Sequence, residues 1–344
     1  MRWIERIAAI EALEDAPFDA RLVDEMERAG AAAGRPIRFS TPTFKAYSSC
    51  ELQGCGKNSF PAFSVTGAGC ALDCDHCRAK ILEPMIPATS PETLERRVRE
   101  MVAAGGLQGF LLSGGSNRRN EIRYERYWPA VARLKRDFPW LRIAVHTALL
   151  DRARARAMAE AGVDTAMMDV IGSGQTIREV YHLERPVADF EATLAALCET
   201  RMEVVPHIVI GLHYGRVLGE PAALEIVARH RIHSLVLVVV MPFYAKPGAF
   251  ATPDPAEVGR IFLEARRRIP ARPVLLGCAR PPGMHRRVTD AYAVMAGLDG
   301  IAFPAEGAVA LAHAIGRPAD QAHACCSVKT ERTIRLYPQA ALAA

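Results

Sequence analysis

From residue 60 onward the chain repeats one unit, a short apolar or β-branched run followed by a longer helical pattern. Strand-like runs stand at AFSV (62–65), GFLLS (109–113), RIAVHT (142–147), TAMMDV (165–170), VVPHIVI (204–210), SLVLVVV (234–240), PVLLGC (273–278) and GIAF (300–303). Helical stretches lie between them. SPETLERRVREMVAAG opens on Ser90 as cap and Pro91 in the first turn, DRARARAMAEAG stops at Gly162, and DPAEVGRIFLEARRRI follows the sixth run. Strands alternating with helices predict a parallel sheet, and eight of them predict an α/β fold closed as a (β/α)8 barrel of the TIM type. An open doubly wound sheet is the rival, and the strand count favours the barrel. Its expected span is 61–316, after an N-terminal helical extension at 1–60 and before a C-terminal tail at 317–344. The opening MRWIERIAAIEALEDAPFDARLVDEMERAG reads as two amphipathic helices.

The charge pattern excludes some functions. The 43 Lys and Arg are interleaved with 38 Asp and Glu, so the net charge of +5 forms no basic stripe and nucleic acid is not indicated. The most apolar run, LVLVVVMPFY, is too short to span a bilayer, and the N-terminus has no apolar core of the signal-peptide kind. A cytoplasmic, reducing address is the expectation. Such an address disfavours structural disulfides and favours metal-binding or catalytic thiols.

In a barrel of this kind the chemistry sits where strands end. That rim receives SVTGAGCALDCDHC (64–77), SGGS (113–116), His146, Asp169, GLHYG (211–215) and CARPPG (278–283). Cys70, Cys74 and Cys77 fall within eight positions, too close and too odd in number for disulfides. Three thiolates at this spacing can hold three irons of a [4Fe–4S] cube and leave the fourth iron open. Structural zinc would need a fourth ligand, for which His76, wedged between Cys74 and Cys77, is poorly placed.

The triplet in the loop after the first barrel strand resembles the signature of the radical S-adenosylmethionine superfamily, over roughly residues 60–316. The resemblance implies that S-adenosylmethionine chelates the open iron and is cleaved by one electron to a radical that abstracts hydrogen from unactivated carbon. His76 stands where the family usually has an aromatic residue, and Ser116 where an acid usually trails the glycine pair. The same resemblance implies cofactor contacts for Gly114 and Gly115 (methionine amino group), Asp169 (ribose hydroxyls), Arg185 (methionine carboxylate) and Gly211 (the turn of the strand passing adenine).

Four further cysteines lie in loop-like sequence flanking the barrel: Cys50 and Cys55 in SSCELQGCGKN, Cys325 and Cys326 in HACCSVKTERT. Cys198 and Cys278, set in apolar helix and strand patterns, read as packing residues. Two thiols before the barrel and two after it predict a second iron–sulfur cluster tying the ends together, with Ser327 as a neighbour that could replace one of them. A redox pair or metal-free loop cysteines are the other readings. FPAFSVTGAGCALDCDHCRAKILEPMIPATSPE and LLGCARPPGMHR resemble the biotin-synthase-related branch, and within it the subunits of the two-protein lipoyl synthase. That resemblance implies sulfur insertion into an octanoyl chain on the lysine of a lipoyl-carrier domain, with the second cluster as sulfur donor. It also implies a second radical subunit and a reductant such as ferredoxin or flavodoxin as partners. Rival readings are a radical enzyme with a small-molecule substrate, for which the extra cysteines are unnecessary, and a non-enzymatic iron–sulfur or electron-transfer protein.

Overall fold

The structure is a computed structural model that describes residues 1–42, 47–52, 59–330 and 332–338. Among these residues it has twelve strands: β1 Ile37–Ser40, β2 Ala62–Ser64, β3 Ile86–Pro87, β4 Gly109–Ser113, β5 Arg142–Thr147, β6 Thr165–Asp169, β7 Glu203–Ile210, β8 Leu235–Val239, β9 Val274–Leu276, β10 Gly300–Ala302, β11 Ala319–Ala322 and β12 Ile334–Leu336. They form a single sheet in the order β12-β11-β1-β10-β9-β8-β7-β6-β5-β4-β2-β3. Every pairing is parallel except β11 with β12.

The eight expected strands are all present, and the sheet curls as a TIM-type barrel does, but hydrogen bonds do not close it. The reason lies in segments whose sequence does not read as strand. Ile37–Ser40 docks on β10 and then receives β11, so that edge runs on to β12 instead of meeting β2. The seam is bridged locally. Ser59 Oγ donates to the His323 carbonyl at 2.6 Å, and Phe60 packs with Ala324 and Val328. The sheet therefore continues into both segments flanking residues 61–316.

The N-terminal helices are Trp3–Ala8 and Ala20–Ala29. In the second, the Asp19 side chain accepts from the amides of Arg21 and Leu22, and Leu22, Val23 and Met26 face the core. Ser90 caps helix Pro91–Ala104 by accepting from the Thr93 amide, with Pro91 in the first turn as expected. Inside the curl, alternate residues of the central strands, among them Met167, Val205 and Val236, meet Ala324 and Val328 of the C-terminal tail. The tail is thus part of the barrel's interior.

One buried ion pair organises the ends of β9 and β10. Arg280 and Asp290 are both fully buried, paired Nε to Oδ1 at 2.6 Å and Nη2 to Oδ2 at 2.8 Å. The guanidinium also donates to the carbonyls of Gly277 and Phe303, and Asp290 Oδ2 accepts from the Ala305 amide. No helix of the described residues is long and apolar enough to cross a membrane.

Candidate active site

The loop after β2 brings Cys70, Cys74 and Cys77 to the mouth of a cavity of about 450 Å³ enclosed by the sheet. Asp73, Arg78 and Ala79 have φ of 45°, 46° and 60°, left-handed values that non-glycine residues adopt at a cost and that cluster at functional loops. Asp75 pins this strained loop. Its amide donates to the Val180 carbonyl and its own carbonyl accepts from the Lys246 amide at 2.7 Å. Its carboxylate is 3.2 Å from His182 Nε2 and accepts from Tyr214 Oη at 3.3 Å. Asp75 was not legible in the sequence as an anchor, because all its partners lie more than a hundred residues away.

The thiols sit in an apolar shell with Leu72, Leu149, Ile171, Tyr181 and Phe190. Burial raises the Cys74 thiol, and the neighbouring Cys77 and Cys70 raise it further. Burial likewise pushes Cys77 up to about 11. The His76 ring stacks on Tyr181 with centroids 4.9 Å apart and planes 28° from parallel. Burial keeps His76 neutral, its pKa lowered to about 4. His76 Nδ1 and Tyr181 Oη line this cavity buried and without a hydrogen-bond partner, so the loop presents polar atoms that nothing in the protein satisfies.

The glycines of SGGS follow from packing. A Cβ at Gly115 would overlap the Gly69 carbonyl oxygen and come within 2.6 Å of Cys70 Cα, and one at Gly114 would meet Val65 Cγ2 at 2.7 Å. The Gly115 amide is also taken, donating to Thr66 Oγ1 at 2.7 Å. These glycines line the cavity as expected, but what demands them is the backbone of the cysteine loop. Gly115→Ala is expected to displace that loop and to lower the iron retained after anaerobic reconstitution severalfold, with a stability loss of about 1–3 kcal/mol. Iron content and a urea melt check both.

Deeper in the cavity, parallel pairing sets Asp169 of β6 beside His207 of β7. His146 Nε2 of β5 is 3.7 Å from Asp169 Oδ1, and the rings of His146 and His207 lie 5.4 Å apart. Burial opposes the Asp169 charge, but the nearby His146 ring outweighs it and holds the carboxyl below its usual range. His207 Nδ1 donates to the Val205 carbonyl at 3.0 Å, and burial lowers its pKa to about 4. A neutral imidazole with its other nitrogen unprotonated therefore lines the cavity. No sequence spacing marks His207, since Asp169 and His146 come to it from neighbouring strands.

Other expected residues are elsewhere. Arg185 pairs with Asp189 one helical turn on, at 3.2 Å, and is not among the residues lining the cavity. Gly211 has φ +77° and its amide donates to Glu220 Oε1 at 2.7 Å. It is a turn glycine behind the strand, not a residue of the cavity wall. Cys50 is exposed, and both its amide and its thiol donate to Glu306. Cys55 lies outside the described residues. Cys325, Cys326 and Ser327 do line the cavity, and the thiol beside them is Cys278, which the sequence pattern assigned to packing. The apolar strand around Cys278 hid this, because an inward-facing position of a barrel strand is apolar whether or not it faces a cavity.

A model of the Radical SAM superfamily matches residues 64–216, from β2 through the cysteine loop to the turn after β7. Residues 64–216 carry the radical SAM domain that this match describes. It is 26% identical over 230 residues to the biotin synthase of Desulforudis audaxviator (strain MP104C), covering 66% of this chain and 67% of that one. Among solved structures it resembles a maturase of the [FeFe]-hydrogenase, with a TM-score of 0.58 at 14% identity, over 88% of this chain and 68% of that one. It also resembles methylornithine synthase, with a TM-score of 0.57 at 12% identity, over 88% and 86%. These structural likenesses concern the fold.

A radical SAM domain implies a [4Fe–4S] cluster and S-adenosylmethionine, and the residues fit both. Three thiols meet in an apolar shell at a cavity mouth, beside two orphaned polar atoms. Together the two groups supply hydrogen-atom abstraction from unactivated carbon. The protein's own part is to hold the three thiolates on one pinned loop, to exclude water with the apolar shell, and to offer the Asp169 carboxylate and the His207 imidazole deeper in the cavity.

Proposed function

We propose that this radical SAM enzyme inserts sulfur at an unactivated carbon of an octanoyl chain carried on a lipoyl-domain lysine. One observation carries the reading: a single cavity has Cys70, Cys74 and Cys77 at its mouth and the tail thiols Cys325 and Cys326 further along its wall. Between them the wall is largely apolar, with Met167, Val209, Val236 and Val238, which suits an aliphatic chain better than a charged metabolite. Exposed Ile81 (44%) and Phe243 (54%) sit at the rim, where a carrier domain would dock and thread its acyl arm. Asp169 is the residue we assign to the ribose hydroxyls of the cofactor. A second radical subunit and a ferredoxin- or flavodoxin-type reductant complete the proposed system.

A small polar substrate is the second reading, favoured by the His146–Asp169–His207 group in the same wall. Anaerobic turnover with an octanoylated carrier peptide, followed by mass spectrometry, separates the two. The expected product carries added sulfur on the acyl chain, at one 5′-deoxyadenosine or more per sulfur. Uncoupled cofactor cleavage with an unmodified peptide, with and without the second subunit, would sink the octanoyl reading.

A further inference from the structure

Arg286, in the first turn of the helix Met284–Met295, lines the cavity and is half-buried. Its Nε is buried without a partner, and among the described residues no hydrogen bond or ion pair reaches its guanidinium. The acid whose charge reaches it, Asp290, is spent: Oδ1 accepts from Arg280 Nε, and Oδ2 from Arg280 Nη2 and the Ala305 amide. Glu51 and Glu306, which share the neighbourhood of Tyr47 with Arg286, are engaged as well. Glu51 accepts from the amides of Gly307 and Ala310, and Glu306 from the amide and thiol of Cys50. Burial and the neighbouring Arg280 work against the Arg286 charge and lower its pKa from the usual arginine value. The helix adds to the positive field, since its first turn has no acidic residue and Gly283 before it gives no side-chain cap. A half-buried charge that no protein group balances costs stability, and such a charge persists where a ligand uses it.

We propose that Arg286 is the anion-binding residue of this cavity and that its ligand is a carboxylate joined to an aliphatic chain. A guanidinium is a planar fork that pairs with a carboxylate through two parallel hydrogen bonds. A phosphate carries more charge and would call on a second cation. The other guanidinium in this wall, Arg280, is already matched by Asp290. The aliphatic part is read from Val236, Val238, Val240 and Met241, which line the same cavity. Two sources present this group: the head of a free medium-chain acid, and an acidic side chain beside the acylated lysine of a carrier. The inference does not rest on the sulfur-insertion reading, because it concerns binding and is measured without turnover.

The full chain, reconstituted anaerobically with ferrous iron and sulfide, is titrated by calorimetry with octanoate and with octanamide, the same chain without the charge. The parent is expected to bind octanoate about tenfold or more tightly than octanamide. Arg286→Met keeps most of the side-chain length and should bind the two alike, while Arg286→Lys keeps the charge and should recover part of the preference. A second arm uses an octanoyl-lysine peptide with Glu beside the lysine and its Gln counterpart. A preference for the Glu peptide that Arg286→Met abolishes assigns the carboxylate to a carrier, and a preference confined to octanoate assigns it to a free acid. Thermal melting of the same variants separates binding from folding. Arg286→Met is expected to melt at or above the parent, since it removes a charge that has no partner. A melting point several degrees below the parent would make Arg286 a structural residue and overturn the proposal. Equal affinity for charged and neutral members of both pairs in the parent, a preference that survives in Arg286→Met, or no binding of any probe would each overturn it too.

Discussion

Replacing Cys70, Cys74 and Cys77 together by alanine is expected to abolish S-adenosylmethionine cleavage and to remove about half of the bound iron, leaving about four of about eight. The three thiols come from one loop and share one apolar shell, so none can stand in for another. Burial holds Cys74 and Cys77 in their protonated forms in the bare protein, which only ligation to strongly cationic metal overcomes. Iron and sulfide assays with quantification of 5′-deoxyadenosine check the prediction. Cleavage at the wild-type rate would remove the radical assignment of this loop, whatever the fate of the second cluster.

The second large effect is on stability. Asp290→Ala leaves the fully buried Arg280 guanidinium without its counter-ion, at an expected cost of about 3–5 kcal/mol. It also strips the acceptor from the Ala305 amide. The double variant Arg280→Met with Asp290→Leu removes both charges and should lose less than the single one, although the Gly277 and Phe303 carbonyls then lack a donor. Urea unfolding of the two variants beside the parent decides the order. A single variant within about 1 kcal/mol of the parent would show that the pair contributes little.

Much of the architecture is legible in the sequence. The eight runs from AFSV to GIAF are strands in the structure, because a barrel strand buried on both faces must be an apolar β-branched run whatever surrounds it. Ile37–Ser40 and Ala319–Ala322 escaped that reading. IRFS and ADQA are short and mixed in polarity, and they are strands because the β10 edge is there for Ile37–Ser40, whose own free edge then receives Ala319–Ala322. Their addition is also what keeps the sheet from closing.

The site divides along the same line. The spacing of Cys70, Cys74 and Cys77 is a local property, held within one loop, so the sequence by itself determined that three thiols would meet and what chemistry they could hold. Only the tertiary structure decided the rest. Cys278 stands in an apolar strand and Cys50 in a polar loop, and spacing alone does not say which of the two faces the cavity. The curl of the sheet turns Cys278 toward the cavity, the tail threaded into the barrel brings Cys325 and Cys326 to it, and Glu306 keeps Cys50 outside. Asp75, His146 and His207 gained their partners in the same way, from strands and loops far apart in the chain. Contacts of that kind depend on how the whole chain closes around its core, and no short stretch of residues encodes them.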